Sequence, residues 1–299
     1  MHFLRLARFQ SVSEEPPHEP QCRMYHDNMS SGGAPLPERA PFYAEQAGEC
    51  RLFAHAFHQR LPVLLKGPTG CGKTRFVEHM AARLGRPLIT VSCHGDLTAA
   101  DLMGRHLIDG GDTVWHDGPL ARAVRTGAIC CLDEVALARR DTAVVLHPLA
   151  DDRRVLPVEG TGELLRAPPQ FMLVVSYSPG DQSLLNNLKP GTRQRFVAIG
   201  FDYPAPEVER RIVEAESGAV PALAARLVTL AQALRRLTGQ DLAEAASTRL
   251  LVRAARLIVA GLPQPEACRA AIVDALTDDA GTAAALDDVV VAVLGTGAP

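Results

Sequence analysis

The chain has 299 residues, of which 47% are hydrophobic and 22% charged, and its formal net charge at pH 7 is -3. This length suits one large or two modest domains with a well-buried core, and the composition is that of a globular protein. The near-neutral charge gives no support for a nucleic-acid partner, and no apolar run approaches the ~20 residues of a membrane span.

The first part of the chain predicts a leader followed by a short helix. Residues 1–37 are rich in Pro, Glu, Ser and Gly and show little periodicity, so we expect them to be disordered or loosely attached. The opening MHFLRLARFQ lacks an apolar core followed by a small-residue cleavage site, which argues against a secretion signal. The stretch AGECRLFAHAFHQR predicts a helix that delivers the chain to the first strand. Seven cysteines without a C-x-x-C pair favour reduced thiols and a cytoplasmic location.

Strand and helix patterns then alternate, which predicts an α/β fold with a parallel sheet and helices on both faces. Two glycine-containing interruptions, HLIDGGDTVWHDGPL and RRVLPVEGTGELLRAP, predict inserted β-hairpins. We expect strands over 62–66, 87–92, 128–134, 171–178 and 196–201, helices over 73–84, 98–104, 119–126 and 140–150, and a helix or turn near 182–189.

After Pro204 and Pro206 the pattern changes to helices alone. The expected helices cover roughly 206–217, 221–237, 247–260, 264–276 and 283–294. We therefore predict three parts in the chain, which are a leader over 1–37, an α/β core over 38–204 and a small all-helical lid domain over 205–299.

The motif GPTGCGKT at 67–74 has the G-x-x-x-x-G-K-[ST] spacing of a phosphate-binding loop. Its glycines allow a tight turn that brings backbone N–H groups to a polyphosphate, and the next helix adds its positive dipole end. Lys73 can reach the β- and γ-phosphates, and the Thr74 hydroxyl can ligate Mg²⁺. The flanking strand and helix argue against a chance glycine loop. The residues expected to bind nucleotide here are Gly67, Pro68, Thr69, Gly70, Cys71, Gly72, Lys73 and Thr74.

The apolar strand GAICCLDE ends in two carboxylates, Asp133 and Glu134. In an open parallel sheet, ligands bind beyond the carboxyl ends of the strands. We expect Asp133 to hold Mg²⁺, directly or through water, and Glu134 to act as the general base for an attacking water. The alternative, a solvated acidic pair at a strand end, is weakened by the phosphate loop upstream. A glutamate here also favours hydrolysis over phosphoryl transfer to a small hydroxyl substrate.

Polar residues at the next strand end, VVSYSPG, form a second group of candidates. Ser176 or Ser178 could orient the water or touch the γ-phosphate. Arg193 and Arg195, in KPGTRQRF, precede the last strand. In a ring, one of them could enter the neighbouring site as an arginine finger, although a surface arginine is the simpler alternative.

Arg249 follows a helix cap at Ser247 or Thr248 and falls in the first turn of that helix. A helix dipole does not favour a cation at this position. A nearby anion, such as the γ-phosphate, would explain the arginine.

The order of phosphate loop, LDE, polar strand end, RQRF and STR resembles that of an AAA+ ATPase, and the two hairpins resemble those of the MoxR branch. Segments such as DLTAADLMGRHL and VWHDGPLARAVRTGAICCLDEV are similar to the CbbQ/NirQ/NorQ subfamily, over about residues 40–290, with wording most similar to CbbQ. The resemblance implies ATP and Mg²⁺, a homo-hexameric ring, and a CbbO-like partner with a von Willebrand factor A domain.

The resemblance also implies a client enzyme that the ring activates. For CbbQ-like members this is Rubisco, by release of tight-binding sugar phosphates, and for NirQ and NorQ members it is nitrite or nitric oxide reductase. Because these segments are most similar to CbbQ, we expect the client enzyme to be Rubisco. A nucleotide-dependent assembly factor that hardly hydrolyses ATP is the alternative class, and a small-molecule kinase is disfavoured by Glu134.

By position, the motifs of this subfamily match residues already singled out. One departure is that SYSPG stands here where the subfamily has SYNPG, so Ser178 replaces an asparagine. Serine is shorter and needs a water to reach the γ-phosphate, which predicts slow or partner-dependent hydrolysis. The matches are Lys73 and Thr74 in the first Walker motif, Asp133 and Glu134 in the second, Arg195 as the finger with Arg193 as second candidate, Ser178 as sensor 1, and Arg249 as sensor 2.

Overall fold

The protein is described by a computed structural model that covers residues 40–178, 190–238, 242 and 244–295. The predicted leader and the predicted helix or turn near 182–189 lie outside the described residues. The strands are β1 (Val63–Lys66), β2 (Leu88–Ser92), β3 (Gly104–Asp109), β4 (Asp112–Asp117), β5 (Ile129–Asp133), β6 (Val155–Val158), β7 (Glu163–Arg166), β8 (Met172–Tyr177) and β9 (Val197–Gly200).

Up to β9, helices separate the strands except between β3 and β4 and from β6 to β8, and after β9 the helices follow one another. They are α1 (Glu49–His58), α2 (Lys73–Arg83), α3 (Ala99–Met103), α4 (Pro119–Thr126), α5 (Arg140–Ala150), α6 (Pro190–Arg193), α7 (Pro206–Ser217), α8 (Pro221–Arg235), α9 (Thr248–Val259), α10 (Gln264–Cys268), α11 (Asp274–Leu276) and α12 (Ala280–Leu294). Among the described helices, none combines the length and the apolar character that crossing a membrane requires.

A five-stranded parallel sheet in the order β2-β5-β8-β1-β9 forms the centre of the fold. The predicted α/β architecture with a helical C-terminal region is confirmed. Because β5, β8 and β1 are neighbours, their carboxyl ends meet at one edge of the sheet. This order brings together the loop after β1, the acidic pair at the end of β5 and the serine that follows β8.

Apolar side chains cover both faces of the sheet. Leu64 and Leu132 belong to the buried cluster on one face, whereas Leu65 and Ile129 belong to the cluster on the other. This alternation follows from the two-residue period of a strand, and burial on both faces explains why these strands are apolar throughout. A third buried cluster joins the C-terminal helices. All six cysteines in the described part of the chain are free and buried.

Local chemistry explains where several helices differ from the predicted bounds. The helix predicted over 98–104 ends at Met103, because Gly104 has φ 135° and begins β3. The last helix begins at Ala280 rather than 283, because the Asp279 carboxylate caps it by accepting a hydrogen bond from the Thr282 N–H at 2.7 Å. The helix predicted over 264–276 is divided by a π-helical turn at Arg269–Val273.

Both predicted hairpins are present, as the antiparallel pairs β3–β4 and β6–β7, and they contact each other. The Trp115 ring of the first lies so close to Gly160 of the second that an added Cβ would come within 2.1 Å of it. Beside this contact, the Arg125 guanidinium binds Asp117 Oδ2 at 2.6 Å and Glu163 Oε2 at 2.5 Å. The two insertions are therefore joined by a ring contact and a pair of ion pairs.

We predict that Gly160→Ala separates the hairpins, because a methyl group cannot share space with the Trp115 ring. Overpacking of this kind lowers the free energy of unfolding by about 1–3 kcal/mol. Trp115 is the single tryptophan in the chain, so its fluorescence emission reports the separation directly. Gly95→Ala is the matched control, because an added Cβ there meets nothing within 4 Å. Identical emission and stability in Gly160→Ala would contradict the packing.

Candidate active site

A cavity of ≈ 580 Å³ lies at the edge of the sheet where β1 and β5 end. Its wall combines parts that are distant in sequence, namely the segment before α1, the phosphate loop, the acidic pair and one face of α9. The lining residues most relevant to binding and chemistry are Phe42, Tyr43, Thr69, Gly70, Cys71, Gly72, Lys73, Thr74, Asp133, Glu134, Arg249, Arg253 and Arg256.

The Lys73 side chain is held inside the loop that precedes it and is only 6% exposed. Its ammonium donates hydrogen bonds to the carbonyl oxygens of Gly67 at 2.8 Å and Pro68 at 3.1 Å, and to Ser178 Oγ at 3.2 Å. Glu134 Oε1 lies 3.8 Å from the same nitrogen. Gly72 makes this arrangement possible, because its φ of 103° turns the backbone sharply at the start of α2. The arrangement presents a fixed positive charge to any anion in the loop.

Asp133 is oriented by two hydroxyl groups. Thr74 Oγ1 donates to Asp133 Oδ2 at 2.9 Å, and the Ser176 hydroxyl donates to the other oxygen, Oδ1. A carboxylate and a hydroxyl in contact are the hard oxygen donors that Mg²⁺ prefers when phosphates and waters complete its shell. The described residues hold no group of three or more His, Cys, Asp or Glu that would form an all-protein metal site. This donor set therefore fits a nucleotide-borne Mg²⁺.

Glu134 has a strained backbone and an unpartnered carboxylate oxygen. Its φ of 52° and ψ of 48° lie in the left-handed region that non-glycine residues seldom adopt. The backbone N–H donates to Ser176 Oγ at 3.1 Å, and Oε1 accepts a hydrogen bond from Ser178 Oγ at 2.9 Å. Oε2 is buried and has no hydrogen-bond partner in the described part of the chain. A carboxylate oxygen left free in this way is suited to accept a proton from water.

The two candidate serines contact different carboxylates. Ser176 joins the Asp133 side chain to the backbone of Glu134. Ser178, which is 8% exposed, donates to Glu134, accepts from Lys73 and lies 3.3 Å from Thr69 Oγ1. Ser178 therefore faces the site rather than solvent.

Arg249 reaches the cavity because α9 begins directly above the phosphate loop. A Cβ added to Gly70 would lie 2.6 Å from the Ser247 side chain, so glycine is required for this close approach. Arg249 lines the cavity, and within the described part of the chain its guanidinium makes no hydrogen bond or ion pair. This unpaired charge at the loop is available to an anion.

Arg193 and Arg195 are exposed and do not line the cavity of their own chain. Arg195 lies near Asp151. The pKa of the Asp151 carboxyl is held below its usual range, mainly by its hydrogen bond from Arg153 and to a smaller extent by the charge of Arg195. Three other predicted site residues contact the Lys73 ammonium without lining the cavity, namely Gly67, Pro68 and Ser178. The remaining predicted site residues line it, which are residues 69–74, Asp133, Glu134 and Arg249.

Sequence reasoning missed several residues at the cavity. Arg253 and Arg256 follow Arg249 by four and seven positions on α9, a helical spacing that could have revealed them. Tyr43 carries no such signal, because its place depends on tertiary contacts. Its hydroxyl donates to the buried Glu49 carboxylate at 2.6 Å, and burial raises the pKa of that hydroxyl well above its usual value.

Comparison with known proteins agrees with this geometry. Residues 62–196 match the family model of an AAA domain (dynein-related subfamily), so the fold and site define an AAA+ ATPase. Residues 209–293 match the CbbQ/NirQ/NorQ C-terminal model. The chain belongs to the CbbQ/NirQ/NorQ family of AAA+ ATPases.

Three curated relatives cover most of the chain. The denitrification regulatory protein NirQ of Pseudomonas aeruginosa is 62% identical over 85% of this chain and 97% of that protein. The protein NorQ of Paracoccus denitrificans is 59% identical over 86% and 95%, and the protein CbbQ of Hydrogenophilus thermoluteolus is 54% identical over 80% and 90%. A solved mutant of Thermotoga maritima RuvB shares the fold, with TM-score 0.50 at 15% identity over 81% of this chain and 68% of that one.

We predict that Lys73→Ala abolishes ATP binding, because the loop loses its side-chain charge on the phosphates. Glu134→Gln should keep binding but retain ATP unhydrolysed, because only the base is removed. Binding of a fluorescent ATP analogue and phosphate release measure the two effects separately. Lys66→Ala, which removes an exposed lysine at the end of β1, is the control. Hydrolysis at the wild-type rate by Glu134→Gln would show that another group is the base.

We predict that Ser178→Asn raises basal hydrolysis with little change in ATP affinity. Asparagine reaches further and offers both a donor and an acceptor. A hydrogen bond to a charged group contributes about 1.5–3 kcal/mol, so the gain in turnover could be about tenfold to a hundredfold. Stimulation by a partner should fall in parallel. Unchanged or lower basal turnover in a folded Ser178→Asn protein would end the assignment of Ser178 as the sensor.

Proposed function

We propose that this ATPase binds ATP with Mg²⁺ in the cavity and hydrolyses it with Glu134 as the general base. The single observation that carries the proposal is the buried Oε2 of Glu134, which has no hydrogen-bond partner among the described residues. The other oxygen of the same carboxylate lies 3.8 Å from the Lys73 ammonium. Oε2 is placed to receive a proton, and a switch that only binds nucleotide has no need of it. The geometry therefore favours turnover over the weakly hydrolysing alternative.

Each residue of the site has a separate task in this proposal. The loop N–H groups and Lys73 bind the phosphates. Thr74 and Asp133 would hold Mg²⁺, which when bound would neutralise charge on the phosphate oxygens. Glu134 accepts the proton of the attacking water. Ser178 fixes the Glu134 carboxylate through the 2.9 Å hydrogen bond to Oε1, so the free Oε2 keeps a constant direction.

Two further cations act from outside the loop. Arg249, at the start of α9, has no ion-pair partner among the residues that the structure describes, and it binds the γ-phosphate. This contact makes the position of the helical region depend on the bound nucleotide. Arg195, with Arg193 as second candidate, acts as the finger of a neighbouring subunit in a homo-hexamer. Their exposure and their position outside their own cavity support action across a subunit boundary.

For the client, we propose an enzyme of denitrification, namely nitric oxide or nitrite reductase, with a von Willebrand factor A-domain protein as partner. The identity to the denitrification regulatory protein NirQ, 62%, and to NorQ, 59%, exceeds the 54% to CbbQ. These identities favour a denitrification enzyme as client, whereas the sequence segments similar to CbbQ led us to expect Rubisco. Rubisco stays as the second candidate, because the CbbQ relative still covers 80% of the chain.

We predict that the protein, with its partner and ATP, raises the activity of nitric oxide or nitrite reductase produced without it. The same preparation should leave sugar-phosphate-inhibited Rubisco unchanged. Glu134→Gln is the control, because it keeps the assembly while removing hydrolysis. Activation of Rubisco alone would reverse the choice of client, and equal activation by Glu134→Gln would contradict the requirement for turnover.

A further inference from the structure

The buried carboxylate of Glu209 joins three helices of the C-terminal region. Glu209, on α7, is 0% exposed. Arg235, on α8, donates to both of its oxygens, at 2.8 Å and 2.6 Å, and Thr248 Oγ1, at the start of α9, donates to Oε1 at 2.6 Å. A buried charge is tolerated only when it is paired and hydrogen-bonded, so these contacts hold the three helices in one geometry.

Arg235 extends the same network to the phosphate loop. Its guanidinium carbon lies 4.1 Å from the centre of the Tyr203 ring, a cation–π contact. The Tyr203 hydroxyl donates to the backbone carbonyl of Thr69 at 3.1 Å. The four side chains that form this continuous set of contacts, here called the clasp, are Tyr203, Arg235, Glu209 and Thr248.

The clasp ends at the residue next to Arg249. Thr248 immediately precedes Arg249, and Arg235 Nε also donates to the carbonyl of Ala246 at 2.8 Å. Hydrogen bonds therefore fix the chain just before α9, at Ala246, and the first residue of α9, Thr248. Among the clasp side chains, Thr248 lines the cavity. The other three do not, so they would act on nucleotide only through other residues.

We propose that the clasp positions Arg249 against the γ-phosphate by fixing the start of α9 to the phosphate loop. The inference rests on the proposed role of Arg249 in ATP hydrolysis. Through these contacts, a displacement of the Thr69 carbonyl would change the position of α9. A displacement of α9 would likewise change the position of the phosphate loop.

Thr248→Val tests the clasp with little change of shape, because it removes the hydroxyl and keeps the branched side chain. We expect kcat to fall about twofold to thirtyfold, the size of effects transmitted through packed networks, while ADP affinity stays constant. Thr248→Ser keeps the hydroxyl and should restore most of the turnover. Glu214→Gln is the matched control, because it breaks the Arg210–Glu214 ion pair on α7, the helix that carries Glu209, away from the cavity. Tyr203→Phe, which loses only the bond to Thr69, carries the same test if Thr248→Val unfolds.

The double variant with Arg249→Ala separates positioning from simple stability. If the clasp acts through Arg249, Thr248→Val should cause no further loss of kcat once Arg249 is alanine. A full additional loss in that background, or wild-type kcat in both Thr248→Val and Tyr203→Phe, would overturn the clasp. Absence of ATP hydrolysis by the wild-type protein would instead contradict the proposed function, so the two failures are distinguishable.

Discussion

Burial of the Lys73 ammonium is the constraint on which the rest of the site depends. A charge that is 6% exposed needs partners, and the chain supplies the Gly67 and Pro68 carbonyls of its own loop. The remaining contacts come from Ser178 and Glu134, at the ends of the two neighbouring strands. This pairing is possible only because β1, β8 and β5 are adjacent and parallel. The same contacts that stabilise the lysine therefore set the positions of the base and the sensor candidate.

The parts predicted from sequence are those that short-range pattern determines. Each of these patterns depends on residues that are close in sequence. They are the loop motif, the acidic strand end and the alternation of strands and helices, and the structure shows them as expected. The contacts that join Tyr203 to Thr69, or Arg235 to Glu209, connect positions 134 and 26 residues apart and leave no periodic signal. The start of the last helix was missed because a single cap at Asp279 decides it.

The family assignment rests on two separate parts of the chain. The AAA domain model matches the α/β part over residues 62–196, and the CbbQ/NirQ/NorQ C-terminal model matches the helical part over residues 209–293. The two hairpins interrupt the α/β part of the chain. They are joined by the contact between the Trp115 ring and Gly160.

We propose that each site is completed by an arginine of a neighbouring subunit, Arg195, with Arg193 as second candidate. The most direct test of this claim is ATP turnover in rings mixed from Arg195→Ala and Glu134→Gln subunits. Each variant alone should be nearly inactive, since removing such a finger lowers kcat by about a thousandfold or more. Mixed rings should regain activity, because some interfaces pair an intact Glu134 with an intact Arg195. No recovery at any ratio, with mixing verified, would contradict the claim.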